Sequence, residues 1–302
     1  MTTDHFLLTV YFLKILFYKK SKHNLILTGL LFVATALSWL ALLEANSSKL
    51  RVDFLDVGQG SAIFVESPNK NQLLIDGGSN AEILTRLGEA LPFYDKEIDV
   101  LLLTHPDQDH LAGLLEVVKN YRVGLVLETG IKEDSVLYRE WEKILQEKSV
   151  KTNQVKAGDR LELDKQTILT ILYPLADVSD QEFKETNESS IVARLDYGQN
   201  SFLFTGDADK KVERGLIFNK INIKADFLNV GHHGSKNSSD QEFVSAVNPV
   251  AAVIQSGKNN RYGHPHQETL NTLNDLGIKI LRNDLSGDIN FVCDWRECFL
   301  GE

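Results

Sequence analysis

Thr104-His105-Pro106-Asp107-Gln108-Asp109-His110 follows the apolar run Val100-Leu101-Leu102-Leu103 and precedes a helical pattern that begins near Leu111. Four candidate metal ligands, His105, Asp107, Asp109 and His110, fall within six residues. At a strand-to-helix junction such side chains converge just beyond the carboxyl edge of a sheet, where open α/β sheets bind their ligands. One tight turn can thus grip two neighbouring cations. Helix capping explains one aspartate in that position, but not two set between two histidines. Gly113 lets the following helix approach the sheet closely.

The same arrangement recurs further along the chain. Phe202-Leu203-Phe204-Thr205-Gly206-Asp207 places an acid just past an apolar strand, and Asn229-Val230-Gly231-His232-His233-Gly234-Ser235 delivers imidazoles into a glycine-flanked loop. Of the eight histidines, His5 and His23 lie near the N-terminus. The other six form three short clusters, the third being His264 with His266. Beside a histidine-aspartate loop, Asp207 is a candidate to bridge two metals.

These motifs sit in a region of alternating elements. Strand-like runs include Arg51–Val57, Ser61–Glu66, Gln72–Asp76, Ile98–Leu103, Ser201–Thr205 and Phe227–Val230, and helical patterns fill Ala81–Leu91, Leu111–Asn120, Ser135–Glu147, Ala208–Phe218 and Gln267–Leu276. Such alternation predicts a layered α/β domain. No repeat or low-complexity tract interrupts it, so residues 50–295 read as one domain, with Asp177–Glu188 as a hinge or surface loop.

The N-terminal part differs. Leu25 to Leu43 contains nineteen residues without a charge, and at ~1.5 Å per residue it spans a ~30 Å hydrocarbon core. Lys14, Lys19, Lys20 and Lys22 precede it and only Lys49 and Arg51 follow closely, which by the positive-inside rule orients the rest of the chain outwards. The expected layout is a cytoplasmic segment over residues 1–24, a single-pass anchor in the cell membrane over 25–45, and an extracytoplasmic domain. Leu43-Glu44-Ala45 is a poor signal-peptide cleavage site.

Net charge is -10, which excludes a generally basic nucleic-acid-binding surface while leaving local cations free to hold phosphate. Two cysteines, Cys293 and Cys298, exclude a disulfide framework or a cysteine-rich metal cluster. They either close one small late loop in an oxidising compartment or remain ordinary thiols.

Together the motifs HPDQDH with LAGL, FLFTGDAD, GHHGSKNSS and NRYGHPH, opened by VDFLDVGQGSAIFVES and LLIDGG, resemble the metallo-β-lactamase superfamily. Within it they are similar to the hydrolase domain of ComEC-type DNA-uptake competence proteins. The resemblance covers about Leu50 to Val292. It implies a four-layer αββα sandwich, preceded here by the transmembrane helix, and two divalent metal ions, zinc or manganese. His105 and Asp107 would hold one ion, Asp109 and His110 the other, Asp207 would bridge, and His232 or His233 or both would complete the second site. Asp76 would buttress the loop.

Two departures stand out. Asp107 replaces the usual histidine, and no histidine lies between His110 and Asp207, with Asn187 standing where that ligand is expected. Such oxygen-rich ligation suits harder cations as well as zinc. Asp109 would orient the attacking water, and His264 would donate a proton to the leaving group or bind an anion. Ser235, Lys236, Asn260 and Tyr262, with Lys258 and Arg261, would rim the mouth and receive a phosphate-bearing substrate.

Three functions follow: a phosphodiesterase or nuclease linked to DNA uptake, which would need a separate channel partner; a hydrolase of a cell-surface phosphoester of teichoic-acid or choline-phosphate type; or a non-catalytic module with a degraded metal site. The altered ligands argue against β-lactamase activity.

Overall fold

The computed structural model describes residues 22, 24–39 and 49–301. Two compact units divide the chain, Met1–Ser48 and Lys49–Glu302. In the first, residues 24–39 form a helix, α1, whose side chains are all exposed, Leu25, Phe32 and Trp39 among them. Among the described residues no helix is long and apolar enough to cross a membrane. The remainder of the expected anchor, residues 40–45, and the segment 1–21 lie outside the described residues.

The second unit opens with β1 (Leu50–Phe54), β2 (Ile63–Glu66), β3 (Gln72–Ile75), β4 (Glu97–Leu102), β5 (Arg122–Glu128) and β6 (Lys151–Gln154). Seven more strands follow: β7 (Arg160–Glu162), β8 (Thr167–Tyr173), β9 (Val192–Tyr197), β10 (Asn200–Phe204), β11 (Phe227–Asn229), β12 (Ala251–Ile254) and β13 (Lys279–Arg282). The chain closes with β14 (Ile289–Cys293) and β15 (Cys298–Leu300). One sheet has the order β15-β14-β1-β2-β3-β4-β5-β6, the other β13-β12-β11-β10-β9-β8-β7. Both are mixed, with β3 to β6 and β10 to β13 parallel.

Side-chain alternation builds the layers. Leu73 and Ile75 face the other sheet, packing with Val100, Leu102, Phe202 and Phe291, whereas Leu74 and Leu101 face helices. On that outer face lie α2 (Glu82–Ala90), α3 (Gln108–Asn120) and α4 (Val136–Glu147), through Ile83, Leu114 and Trp141. The second sheet carries α5 (Lys210–Phe218), α6 (Gln241–Val247) and α7 (Gln267–Asp275), through Leu216, Phe243 and Leu273. The result is helix, sheet, sheet, helix. Because both faces of each sheet are covered, β2, β3, β11 and β12 are buried along their whole length and read as short apolar runs, with a polar residue only at one end of β2, β3 and β11, rather than as alternation.

Several elements escape sequence reading. β6, Lys-Thr-Asn-Gln, is an exposed edge strand without an apolar face; β7, β13, β15 and the seven-residue α6 are too short to show a period. α3 starts at Gln108, three residues before the expected Leu111, so Asp109 and His110 lie in its first turn. Asp107 occupies the N-cap position, yet its side chain makes no capping bond. Cys293 and Cys298 face each other across β14 and β15 and form a disulfide.

Gly113 brings α3 against the loop after β3: a Cβ there would lie 1.7 Å from the Gly77 carbonyl oxygen. Neither backbone can yield without moving the Asp76 turn. Gly113→Ala is expected to cost about 3 kcal/mol as overpacking, and hence to lower the melting temperature by roughly 6–12 °C for a domain of this size. A thermal melt within 1–2 °C of the parent, to use an approximate margin for such scans, would show that the contact is slack.

Candidate metal centre

The loops that follow β3, β4, β10, β11 and β12 meet at one edge of the sandwich, because those strands end on the same side. Asp76 comes from the first, His105 to His110 from the second, Asp207 from the third, and His232 and His233 from the fourth. Asp76, His232 and His233 adopt left-handed backbone conformations, with φ of 57°, 48° and 55°. Residues other than glycine accept such angles at a cost of order 1–3 kcal/mol where the surroundings require them.

Imidazole nitrogens and carboxylate oxygens converge there. His110 Nε2 lies 3.2 Å from Asp207 Oδ1, and His105 Nε2 lies 3.9 Å from Asp207 Oδ2 and 3.7 Å from Asp107 Oδ2. On the other side His233 Nε2 is 3.3 Å from Asp109 Oδ2 and 3.6 Å from Asp207 Oδ2. Two groups result: His105, His110 and Asp207, fully buried, and Asp109, His110 and His233, open towards Asp109. Thus His110 and Asp207 stand between the groups. His232 Nε2 is 3.7 Å from Asp207 Oδ2, but the side chain is partly exposed.

What surrounds these groups sets their tautomers. Asp76 is wholly buried and accepts three hydrogen bonds: from the Thr104 amide at 2.9 Å, the Thr104 hydroxyl at 2.8 Å and His110 Nδ1–H at 2.7 Å. His105 Nδ1 faces the Thr104 and Ser190 hydroxyls at 3.0 and 3.1 Å. His233 Nδ1–H donates to the Gln255 carbonyl at 2.9 Å. Each ring therefore turns Nε2 inwards. His105 Nε2, His110 Nε2, His233 Nε2 and Asp207 Oδ1 are buried and have no hydrogen-bond partner. Leaving one such group unsatisfied costs about 1–3 kcal/mol, and four of them pointing at one another fit cations better than any protein donor. Outer partners of this kind are what orient metal-binding histidines.

Charge agrees with geometry. Burial opposes ionisation of Asp207, but the facing imidazoles of His233 and His110 hold its carboxyl well below the usual range. Asp109 is likewise lowered, against burial, by His233 and His110, and Asp107 by His105 and Thr186. Three ionised carboxylates set close together, Asp207 among them buried, suit divalent ions.

The remaining candidates divide. Asn187 Nδ2 lies 3.2 Å from His232 Nδ1, and its neighbour Thr186 donates its hydroxyl to Asp107. His264 packs among His232, His233 and His266, with ring centroids 5.6, 6.2 and 4.9 Å away. Burial, then the neighbouring imidazoles, push its pKa down to about 4, so the ring is neutral near pH 7. Ser235 is buried, and its hydroxyl accepts the Asn237 N–H; Lys236 is exposed. The Asn260 amide is engaged within its own loop, donating to the Gly257 and His264 carbonyls and accepting the N–H groups of Tyr262 and His264. Asn260 and Tyr262, with Arg261, nevertheless line a groove of about 330 Å³ that opens onto Asp109.

Sequence reading missed Thr104, Ser190, Gln255 and Glu213. Ser190 Oγ also accepts the Asp207 amide at 2.9 Å. Gln255 directly follows β12, and the strand-end rule that found Asp207 would have found it too. Glu213 left no such signal: from the first turn of α5 its buried carboxylate accepts the amides of Ser239 and Asp240, pinning the loop that carries His232 and His233.

Burial raises the Glu213 pKa from 4.5 to about 7, with the two amide donors opposing. A carboxyl whose folded pKa is raised stabilises below its unfolded pKa, and that contribution is lost as pH rises through the folded value. At roughly 1.4 kcal/mol per unit the contribution is on the order of 3 kcal/mol. Denaturant melts at pH 4.5 and 7.5 are expected to show the parent losing more stability than Glu213→Gln over this window; parallel losses would exclude Glu213 as the source.

Comparison with known proteins agrees with this architecture. The chain is 36% identical over 307 residues to ComE operon protein 3 of Bacillus subtilis, covering 95% of this chain and 38% of that protein. It is 31% identical over 258 residues to Recombination protein 2 of Haemophilus influenzae, covering 82% of this chain and 29% of that protein. Competence protein ComA of Neisseria gonorrhoeae is 32% identical over 238 residues, with coverage of 78% and 31%. The chain thus spans about a third of the length of these relatives.

Among solved structures, CmlA, a diiron beta-hydroxylase from Streptomyces venezuelae, shares the fold with a TM-score of 0.55 at 17% identity, covering 82% of this chain and 54% of that one. YhfI from Bacillus subtilis, a metallo-beta-lactamase fold protein, gives 0.52 at 13%, covering 84% and 100%. Residues 55–258, which carry every candidate ligand from His105 to His233, match the family model, and the chain belongs to the metallo-beta-lactamase superfamily.

Proposed function

We propose that this protein is a metal-dependent phosphodiesterase that cleaves a nucleic-acid strand outside the cell membrane, to which α1 and the residues around it anchor it. The observation that carries the reading is the pair of ligand groups sharing His110, with Asp207 facing both His110 and His233 and with Asp109 as the member open to the surface. Two divalent ions, when bound, supply Lewis-acid stabilisation of a phosphoryl oxygen and an activated water.

The chain's own residues do the rest. Asp109, whose free carboxylate oxygen faces the groove, orients the water and receives its proton. His264, neutral near pH 7, offers an N–H to the departing oxygen. Arg261, Lys258 and Lys236 are exposed near this edge and supply local positive charge on an acidic protein, as a phosphate-bearing substrate requires. Relatives named for competence and recombination support a role in DNA uptake. The Cys293–Cys298 disulfide and the lysines before α1 support an oxidising, outward location.

The full chain loaded with Mn²⁺ or Zn²⁺ is tested on single-stranded DNA. Metal-dependent cleavage that falls at least on the order of 100-fold in Asp109→Ala, as for loss of a proton-transfer group, is expected. Hydrolysis of small phosphodiesters alone would favour a cell-surface phosphoester instead, and failure to retain any divalent metal would overturn both. Protease added to intact cells should digest the domain; protection would contradict the outward placement.

A further inference from the structure

We propose that the groove beside Asp109 is a nucleoside subsite: it receives the base and sugar attached to the phosphate held at the metal centre. This rests on the phosphodiesterase reading above and names the part of the substrate that reading leaves open.

The groove is built before any ligand arrives. Its walls are the turn of Gly58 to Gly60 and the loop of Gly257 to His264. They touch so closely that a Cβ on Gly257 would lie 2.8 Å from the Gln59 amide nitrogen, and one on Gly60 would lie 2.2 Å from the Asp109 carbonyl oxygen. The Ser61 amide donates to that same carbonyl at 3.2 Å. The Gln59 turn therefore rides directly on the metal-binding turn, and whatever occupies the groove is held in register with Asp109.

Its chemistry is selective. Besides Asp109, the lining offers the neutral side chains of Gln59, Ser79 and Gln108 and one cation, Arg261. Gln59 Oε1 accepts the Gly257 amide at 3.2 Å, which fixes the side-chain amide, and Gln59 Nε2 is then buried with no partner. A buried donor without an acceptor is costly, and a base carbonyl or ring nitrogen is an acceptor of the right kind.

At the rim, planar groups are stacked. The Tyr262 ring lies 23° from the His264 ring with centroids 5.7 Å apart, and the Arg261 guanidinium sits 4.9 Å from the Tyr262 centroid, donating to its hydroxyl at 2.8 Å. Tyr262 remains 48% exposed. Rings and guanidinium planes of this sort are the surfaces on which unpaired bases stack.

Alternatives fit less well. The cationic Arg261 repels the quaternary ammonium of a choline substituent, which aromatic cages otherwise bind. The cleft on the opposite side of Gln108, about 440 Å³, carries Glu133 and Glu140 beside Asp107 and no cation, so it repels phosphate. The nucleotide is thus directed to the Arg261 side.

The test measures binding of deoxyadenosine monophosphate, inorganic phosphate and phosphocholine to the Mn²⁺-loaded full chain by calorimetry. Deoxyadenosine monophosphate is expected to bind about tenfold more tightly than phosphate, with Tyr262→Ala and Gln59→Ala each removing most of that preference and Tyr262→Phe retaining it. Equal binding of the three probes, binding of none, tighter binding of phosphocholine, or a preference unchanged in both alanine variants would overturn the subsite. A chain that prefers the nucleotide but cleaves no DNA keeps the subsite and loses the nuclease reading. DNA cleavage without any preference does the reverse.

Discussion

Asp207→Asn is expected to reduce bound metal from two ions to one at most and to remove metal-dependent hydrolysis. Among the described residues, Asp207 is the only side chain that faces His105, His110, His232 and His233 together, at 3.9, 3.2, 3.7 and 3.6 Å. An amide has the same shape but no charge, and its NH₂ would point a donor at nitrogens whose lone pairs must meet a cation. Losing even an outer partner of a metal ligand costs about 10–100-fold in affinity, so loss of the shared carboxylate should exceed on the order of 100-fold. Metal analysis of the purified variant and calorimetric titration with Mn²⁺ provide the readout. An Asp207→Asn protein that keeps two ions at parental affinity would show that Asp207 is a structural acid.

Stripping the metal should produce the second large effect. Ions that bind only the folded chain stabilise it by about 4 kcal/mol at a thousand times their dissociation constant, which for a domain of this size corresponds to roughly 8–16 °C in melting temperature. The destabilisation has a clear source, since the three lowered carboxylates and the inward Nε2 atoms lose their counter-charge at once.

Protons then partly replace the ions. Without metal, His110 is raised well above its ordinary pKa by Asp207 and Asp76 despite burial, and His233 by Asp207 and Asp109. Stripping at pH 7 is therefore expected to take up protons, and metal affinity to fall as pH drops, because the ligand form of each imidazole is neutral. Melting in chelator and in Mn²⁺ across pH 6 to 8 checks both. Curves that coincide with and without metal would refute a metal centre that supports the fold.

How much of this was legible beforehand depends on how local the signal is. The strand ends at Leu103, Phe204 and Val230 could be read because an apolar run followed by an acid or imidazole is a pattern within ten residues or so. Edge strand β6 could not, since Lys151 to Gln154 has no apolar face and is a strand only because β5 offers it hydrogen bonds. The start of α3 was misplaced because His105 to Asp109 obeys ligand chemistry rather than helix propensity.

Site roles divide along the same line. Residue types alone marked His105 to His110 as a candidate metal-binding turn, with Asp207 and the His232-His233 pair as its candidate distant partners, because few other uses place so many ligands at strand ends. Only the tertiary structure separates the twin histidines as candidates. His233 is buried, with Nδ1 donating to the Gln255 carbonyl and Nε2 left free, whereas His232 is partly exposed and meets Asn187. It also joined His110 to both ligand groups and brought in Thr104, Ser190 and Glu213. The reason is physical: a side chain's capacity to ligate is written in its chemistry, but which nitrogen is free depends on hydrogen bonds from segments up to 85 residues away.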